Sequence, residues 1–541
     1  MRPVLISDHW GFLADLQRVA AGKYTVWDLL RPHNEHRILT SRLSFFVDTH
    51  LFDMSNRSLV VTVYAAMMAI GVFVVRQSLG PAAGWRAWAV CLPLALGVLW
   101  SPVQYGNFYW GFQPQFPYVH LFAALTIGSF AALAQARTAW GFASLLALTV
   151  SFDFLTIYSM GSGLFVVVAI VGVALWLRTP WRATLSALAG HAVLSATYFI
   201  GFRLPRSSDP TLNPVEVLAY GSRLLGKVVD STETVAGLAG ALGLALFLTL
   251  GLWMLRRSWM ERQLNDRPAA VLLSLAGFVV TEAFLVGISR FHYISGDIWI
   301  PSRYATLSAV FWVALLGATW RTLKCVSTGR ERPLPFCPAT PVLAAGALLV
   351  ATSNLLDTPY ATWDHLNREL DVTAFAMVNG VESEAALLRV HFRPSALSDR
   401  IHFLRERQLG PFGPGAERYQ LPFNSVHGLD PERLPTCSGR IDKVEPGQGS
   451  TRLTGWIAVH RSNKRAEPAT WLAVYDKDRT IVAYSKPVLP RSDVQAVYRG
   501  EHDRYGFDLH VPAFDPTATR LVALGPTGLR ACTLRPAAPQ T

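Results

Sequence analysis

The sequence predicts a polytopic α-helical membrane protein of about ten spans, followed by a C-terminal extracytoplasmic β-sandwich domain. Three observations lead there. Hydrophobic residues make up 51% of the chain and the mean hydropathy is +0.28, a membrane profile for this length. The apolar residues gather in stretches near the roughly 17–25 that cross a bilayer. The Lys and Arg left between those stretches fall mostly on alternate connections.

The apolar stretches cover residues 58–75, 87–100, 118–136, 140–158, 163–177, 183–202, 235–255, 269–289, 304–320 and 341–354. The second, fifth and last are short. One set of connections carries Arg76, Arg86, Arg137, Arg178 and Arg182, then Arg256, Arg257, Arg262 and Arg267, and finally Arg321, Lys324, Arg330 and Arg332. The intervening connections are uncharged (101–117, 159–162) or balance cations with acids. The positive-inside rule makes the basic set cytoplasmic and puts the head and the C-terminal third outside. The pI of 9.6 reflects that set and fits contact with anionic lipid headgroups. No basic, aromatic-interleaved patch points to nucleic acid. The organisation is then an outer head (1–57), a membrane domain (58–355), an outer helical segment with linker (356–432) and a β-sandwich (433–541).

In the head, residues 11–21 read as an amphipathic helix with Phe12, Leu13, Leu16 and Val19 on one face. Thr25 and Asp28 form a capping box for a short helix ending near Arg31 and Pro32. Both helices are too short and polar to span, so they are expected to lie along the outer membrane surface. The cations of the head oppose unaided translocation, and a further span upstream of Met1 is expected.

After the spans, 358–409 reads as outer helices, with Gly380 stopping the first and Gly410–Pro411 the last. Alternating runs follow at 451–459, 470–475, 480–484, 507–511 and 520–524, with a hairpin turning at 476–479. Cys437 and Cys532 bracket this domain on the oxidising side and are expected to form a disulfide, whose long loop contributes about 4 kcal/mol. Cys91, Cys325 and Cys337 read as plain thiols.

Three constellations carry chemistry. The first is in the head: Asp8-His9-Trp10 and His33-Asn34-Glu35-His36-Arg37. Carboxylates next to low-dielectric material rise in pKa toward the range of a general base. The bland alternative is an interfacial segment whose polar tips face water. His33 and His36 are spaced for one helix face, but Pro32 weighs against ligation and no metal site is assigned.

The second is the uncharged loop 104–116, which contains Trp110, Gln113 and Gln115 among seven further aromatic and amide residues. An aromatic belt accounts for the rings. Amides beside aromatic faces also suit sugar hydroxyls and C–H faces.

The third is charge in the membrane. Asp153 and Glu282 lie in spans, where ionisable groups default to function, with pairing to His191 or Arg290 as the structural alternative. Arg290-Phe291-His292 and Ser302-Arg303-Tyr304 stand at the outer edge, where arginines suit a lipid-borne phosphate or merely snorkel. In the β domain, Gly455-Trp456, the 491–494 segment and Tyr505-Gly506-Phe507 read as turn and core, and no acid–base pair stands out.

Together, the acidic–Trp opening, the His-Asn-Glu-His-Arg segment, the Trp110-x-Phe112-Gln113-x-Gln115-Phe116 loop and Ser302-Arg303-Tyr304 resemble bacterial multi-span proteins grouped with the C-type (GT-C) integral-membrane glycosyltransferases. The resemblance runs from about Asp8 to the outer helical region. The C-terminal run with Gly455-Trp456 and Arg491-x-Asp493-Val494 resembles an accessory β domain of glycan-building proteins.

The resemblance implies a polyprenyl-phosphate-sugar donor, a glycan or lipid acceptor and inversion at the anomeric carbon, in the bacterial cytoplasmic membrane. It makes Asp8 or Glu35 the base, and Arg290, Arg303 and Arg37 the ligands of the donor phosphate. His9, Trp10, His33, His36, Trp110, Gln113, Gln115, Asp153, Glu282, His292 and Tyr304 become substrate-binding candidates. A divalent cation is the one cofactor it brings into view. Asp8 is followed by His9 where many relatives have adjacent acids, so the base stays open between Asp8 and Glu35. Two rivals come from other classes: a lipid-linked glycan transporter or flippase, and a non-catalytic scaffold for surface-polysaccharide assembly.

Overall fold

The computed structural model describes residues 2–202, 210–229, 232–261, 266–291, 301–327, 359–380, 387, 390–391, 393, 397–419, 429–447, 450–460, 466–487, 489–498, 504–512, 514–525 and 531–534. Its helices are α1 (His9–Ala20), α2 (Val26–Leu29), α3 (Leu39–Phe52), α4 (Arg57–Leu79), α5 (Trp85–Leu99), α6 (Tyr105–Tyr109), α7 (Gln115–Leu133) and α8 (Ala139–Ile157). They continue with α9 (Val166–Leu177), α10 (Trp181–Tyr198), α11 (Pro214–Gly226), α12 (Glu233–Trp259), α13 (Arg267–Arg290), α14 (Ala305–Ser327), α15 (Pro359–Val378), α16 (Ser398–Glu406) and α17 (Ser492–Tyr498). The chain divides into two compact units: Ala21–Val47 with Ser58–Thr362, and Met1–Ala20 with Asp48–Arg57 and Trp363–Thr541.

The first unit is helical. Six helices among the described residues are long and apolar enough to cross a membrane: Arg57–Leu79, Trp85–Tyr109, Gln115–Leu133, Ala139–Ile157, Glu233–Trp259 and Arg267–Arg290. Of the other four expected spans, 163–177 falls in the shorter apolar helix Gly161–Leu177. Residues 183–202 and 304–320 coincide largely with α10 and α14, which are helical but outside that group of six, and 341–354 lies outside the described residues.

Helix α13 is buried on nearly every side, from Ala269 to Gly287, as expected of an all-round apolar helix at the centre of a bundle. Helices α11 and α12 meet backbone to backbone. A Cβ at Gly226 or Gly240 would overlap the carbonyl groups of Ala236 and Ser222, so only small residues allow this approach. The capping box at the start of α2 is present, with the Thr25 amide donating to Asp28 Oδ2 at 2.8 Å.

The second unit combines α1, α15 and α16 with the β region. Phe12, Leu13 and Leu16 of α1 are buried, while Val19 is 39% exposed. That apolar face is therefore covered by protein rather than left free for a membrane surface. Arg2 pairs with Asp371 of α15 at 2.5 Å, and Arg400 of α16 donates to the Trp10 carbonyl at 2.8 Å. Gly380 and Gly410 both take positive φ (+74° and +60°) just beyond helices, where a side chain would be strained.

The β region holds two four-stranded antiparallel sheets. In one, β2 (Thr451–His460) is flanked by β1 (Ser438–Pro446) on one edge and by β3 (Ala466–Pro468) and β6 (Gly506–Val511) on the other. The second runs β5 (Ile481–Ser485), β4 (Trp471–Tyr475), β7 (Arg520–Leu524), β8 (Ala531–Leu534). Leu453, Phe507 and Leu509 from the first sheet share one core with Leu472, Leu521 and Leu534 from the second. Cys437 and Cys532 are disulfide-bonded at the margin of that core. The β4–β5 connection turns at Asp476–Arg479, where Arg479 takes φ +58°. Phe375 of α15 lies 3.9 Å from the Trp471 ring in a stacked arrangement, so α15 and the β region share apolar surface.

Candidate functional site

His33 to His36 form a tight turn. Their backbones exchange hydrogen bonds of 2.7 and 2.9 Å, and Asn34 takes φ +53°, a conformation asparagine tolerates better than most residues. The expectation that His33 and His36 share a helix face is therefore corrected: Pro32 and the left-handed Asn34 favour a hairpin. Glu35 sits at its tip. Its carbonyl accepts from the Tyr198 hydroxyl at 2.9 Å, and His36 Nδ1 accepts from the Gly161 amide at 3.3 Å. A Cβ at Gly161 would come within 2.9 Å of that nitrogen, so the close approach depends on glycine.

The Glu35 carboxylate pairs with the guanidinium of Arg290, the last residue of α13, and stands 3.6 Å from His36 Nε2. The three side chains are 25–28% exposed. A guanidinium and a carboxylate at this exposure remain within reach of water, which screens their attraction.

Arg37 does not join this pair. Its side chain is buried, its guanidinium donates to the carbonyls of Tyr198, Leu30 and Ile200, and it lies over the Tyr158 and Tyr198 rings. Those carbonyls accept from three of its five N–H donors. Arg42 is likewise buried and donates to the Leu29 and Arg31 carbonyls. The two arginines anchor the segment that carries the Glu35 turn.

Arg303 lies in a short 3-10 turn, Ser302–Tyr304, fastened by the loop before α7. Asn107 donates to the Arg303 carbonyl at 3.0 Å and to Thr306 at 2.8 Å; Thr306 donates to Gln104 at 2.8 Å; and the Gly106 amide donates to Ser302 at 3.1 Å. The guanidinium sits over Trp110 (5.7 Å) and Tyr304 (5.3 Å). Ring contacts run on from Trp110 to Phe112 (6.0 Å) and from Phe112 to His33 (5.1 Å). On the other side, Phe291, beside Arg290, contacts Tyr220 at 6.2 Å, and Tyr220 is within electrostatic reach of Arg303 and Tyr304. The Glu35–Arg290 pair and the ring set around Arg303 thus lie in the same compact unit.

The amides of the aromatic loop divide. Gln104 and Asn107 bind protein groups, as above. Gln113 is fully buried, with neither amide atom bonded among the described residues, and Gln115 is 7% exposed. The intramembrane acids are paired. Asp153 meets His191 Nδ1 at 3.0 Å, the structural alternative foreseen for it. Glu282 meets His120 Nε2 at 2.8 Å, a partner not foreseen. The Nδ1 of His120 faces the Phe116 carbonyl at 2.7 Å and donates to it, which leaves Nε2 to face the carboxyl group.

Asp8, His9 and Trp10 belong to the other compact unit, where His9 and Trp10 are core residues at 1% and 0% exposure. His292 lies outside the described residues. Among the described residues no group of three or more His, Cys, Asp or Glu is placed to hold a metal ion. Tyr198, Gly161 and Tyr220 support the site without having been singled out, and no local signal marks the tyrosines; the run Ser159-Met160-Gly161-Ser162-Gly163 was visible as a patch of small residues. Compared with protein-family models, curated proteins and solved structures, the chain has no match.

Proposed function

We propose that this chain is a GT-C-like integral-membrane glycosyltransferase acting on the outer face of the bacterial cytoplasmic membrane. It moves a sugar from a polyprenyl phosphate to a glycan or lipid acceptor with inversion, and the C-terminal β-sandwich is an accessory domain on the same side. The observation that carries this reading is the contact of Glu35 with Arg290, in the compact unit that also holds Arg303 and its aromatic neighbours Trp110 and Tyr304. The donor phosphate takes the place of Glu35 on Arg290 and is gripped by Arg303 as well. The freed carboxylate takes the proton of the acceptor hydroxyl. The acceptor oxygen bonds to the anomeric carbon, the bond from that carbon to the phosphate oxygen breaks, and the phosphate leaves with the electron pair, stabilised by both guanidiniums. Glu35 is preferred to Asp8 as the base because its turn lies in the compact unit that contains both arginines.

The test is transfer by the reconstituted protein across a panel of polyprenyl-phosphate sugars. Glu35→Gln is expected to lower the rate by about 10²–10⁴-fold, the range of a general base, and Asp8→Asn to leave it within a few-fold. Unchanged transfer by Glu35→Gln removes the base assignment. The flippase reading draws on the buried pairs His120–Glu282 and Asp153–His191, since carriers place polar groups inside the bilayer. It predicts that His120→Leu/Glu282→Leu abolishes movement of a lipid-linked glycan, whereas a transferase keeps its chemistry.

A further inference from the structure

A Cβ on Gly71 of α4 would meet Leu96 at 3.1 Å and Leu99 at 3.3 Å, so α4 and α5 touch there. Between α4, α5 and α14 lies a cavity of about 150 Å³ whose wall includes Val75, Leu79, Val90, Leu94, Val98 and Trp320. Val90 is 58% exposed, so the cavity opens past α5, within the membrane-length helix Trp85–Tyr109. The medium facing that opening is hydrocarbon, and a cavity with such walls does not hold water.

The basic end of the cavity is equipped differently. Arg86, Val90, Leu94 and Val98 recur every four residues and lie on one face of α5, so Arg86 stands one turn beyond the slot. Trp85 beside it is 75% exposed, and Arg76 follows the wall residue Val75 and is exposed. Neither arginine forms an ion pair with a carboxylate among the described residues. Exposed Trp and Arg at the end of an apolar span are the groups that sit at headgroup level.

We infer that this slot binds one anionic phospholipid, with an acyl chain between α4, α5 and α14 and its phosphate at Arg86 and Arg76. The site is separate from the Glu35–Arg290 cluster and does not depend on the glycosyl-transfer reading. The chain fills space that would otherwise separate α5 from its neighbours, and the cations select the headgroup.

The experiment is native mass spectrometry of the delipidated full-length protein in detergent, supplied with equal phosphatidylglycerol and phosphatidylcholine. One phosphatidylglycerol is expected to be retained, favoured at least about fivefold, the ratio expected from a single lipid-facing cation. Arg76→Gln/Arg86→Gln brings the two lipids to parity. Ala95→Phe inside the slot and Val90→Trp at its exposed mouth each lower retention at least about fivefold, the transfer worth of one or two buried methylenes. Val61→Trp, at an apolar α4 position that is 66% exposed and outside the slot, leaves it unchanged. Val90 is exposed, so its variant folds even if Ala95→Phe does not. Equal retention of both lipids by the parent protein, or retention unaffected by Val90→Trp, overturns the inference.

Discussion

Carboxylates inside the helical bundle and carboxylates on the β region are answered by different bases. In the bundle, Glu282 and Asp153 face His120 and His191, with side chains 0–8% exposed. On the β region, Asp508 faces Arg452, and Asp493 and Asp442 face Arg491, with side chains 26–65% exposed. The difference follows from solvation. A histidine and a carboxyl group can settle their charges by sharing a proton, which removes most of the penalty of burial. An arginine stays charged, so its pairs are placed where water still reaches them. Arg37 shows the other solution for a buried guanidinium, being neutralised by three carbonyl dipoles rather than by an anion. The Glu35–Arg290 pair follows neither interior pattern. It keeps a permanently charged base at the end of α13 at 28% exposure, which is where an exchangeable anion site is affordable in energy.

Breaking an interior pair is expected to have the largest effect. His120→Leu leaves the Glu282 carboxyl buried without its partner and is expected to cost about 1–3 kcal/mol. Glu282→Gln keeps a neutral donor facing His120 Nε2 and is expected to cost under about 1 kcal/mol. Titration of the folded fraction with a denaturing detergent measures both. Equal losses for the two variants would mean that the pair is held as ions, and the contrast with the β region would fail.

These contacts also mark what the sequence could disclose. The apolar stretches, the β-turn at Asp476–Arg479 and the glycine stops at Gly380 and Gly410 are local, and all were legible. Glu35 and Arg290 stood out as charges beside spans, but their 255-residue separation hid that they meet. Glu282 was suspected for the same reason, whereas its partner His120 is one histidine on an apolar helix, with no local pattern to single it out. The carbonyl partners of Arg37 were not legible, because a guanidinium beside a span has the same sequence signature whether it faces phosphate or carbonyls. Strand β1 was missed because its run Ser438–Pro446 is charged and mostly exposed, with no apolar alternation to betray it. Helix α3 escaped because the short capped segment before it drew attention to Pro32 as an end.

The Glu35–Arg290 pair should separate function from stability, an intermediate effect. Glu35→Gln is expected to change unfolding by no more than about 1 kcal/mol, as for other partly exposed ion pairs, while it lowers the proposed transfer. A larger loss would class the pair with His120–Glu282, as a structural element whose carboxylate is not free to exchange.

The smallest effect is expected on the β region, where pairing can be read by titration. Arg491 holds Asp493 with hydrogen bonds of 2.9 and 2.7 Å and draws its carboxyl down from the ordinary 3.8 to about 2. The folded value is depressed, so the stabilisation from this pair is complete above the ordinary value. It is lost as pH falls from near 4 toward 2, and raising the pH adds nothing. Carbon-13 carboxyl shifts of labelled protein are expected to place the Asp493 midpoint near 2, and Arg491→Ala to return it toward 3.8. Because the side chain is 65% exposed, the accompanying change in unfolding should be slight. If the midpoint stays low without Arg491, the guanidinium is not its cause, and exposed arginines would no longer explain how this region carries its acids.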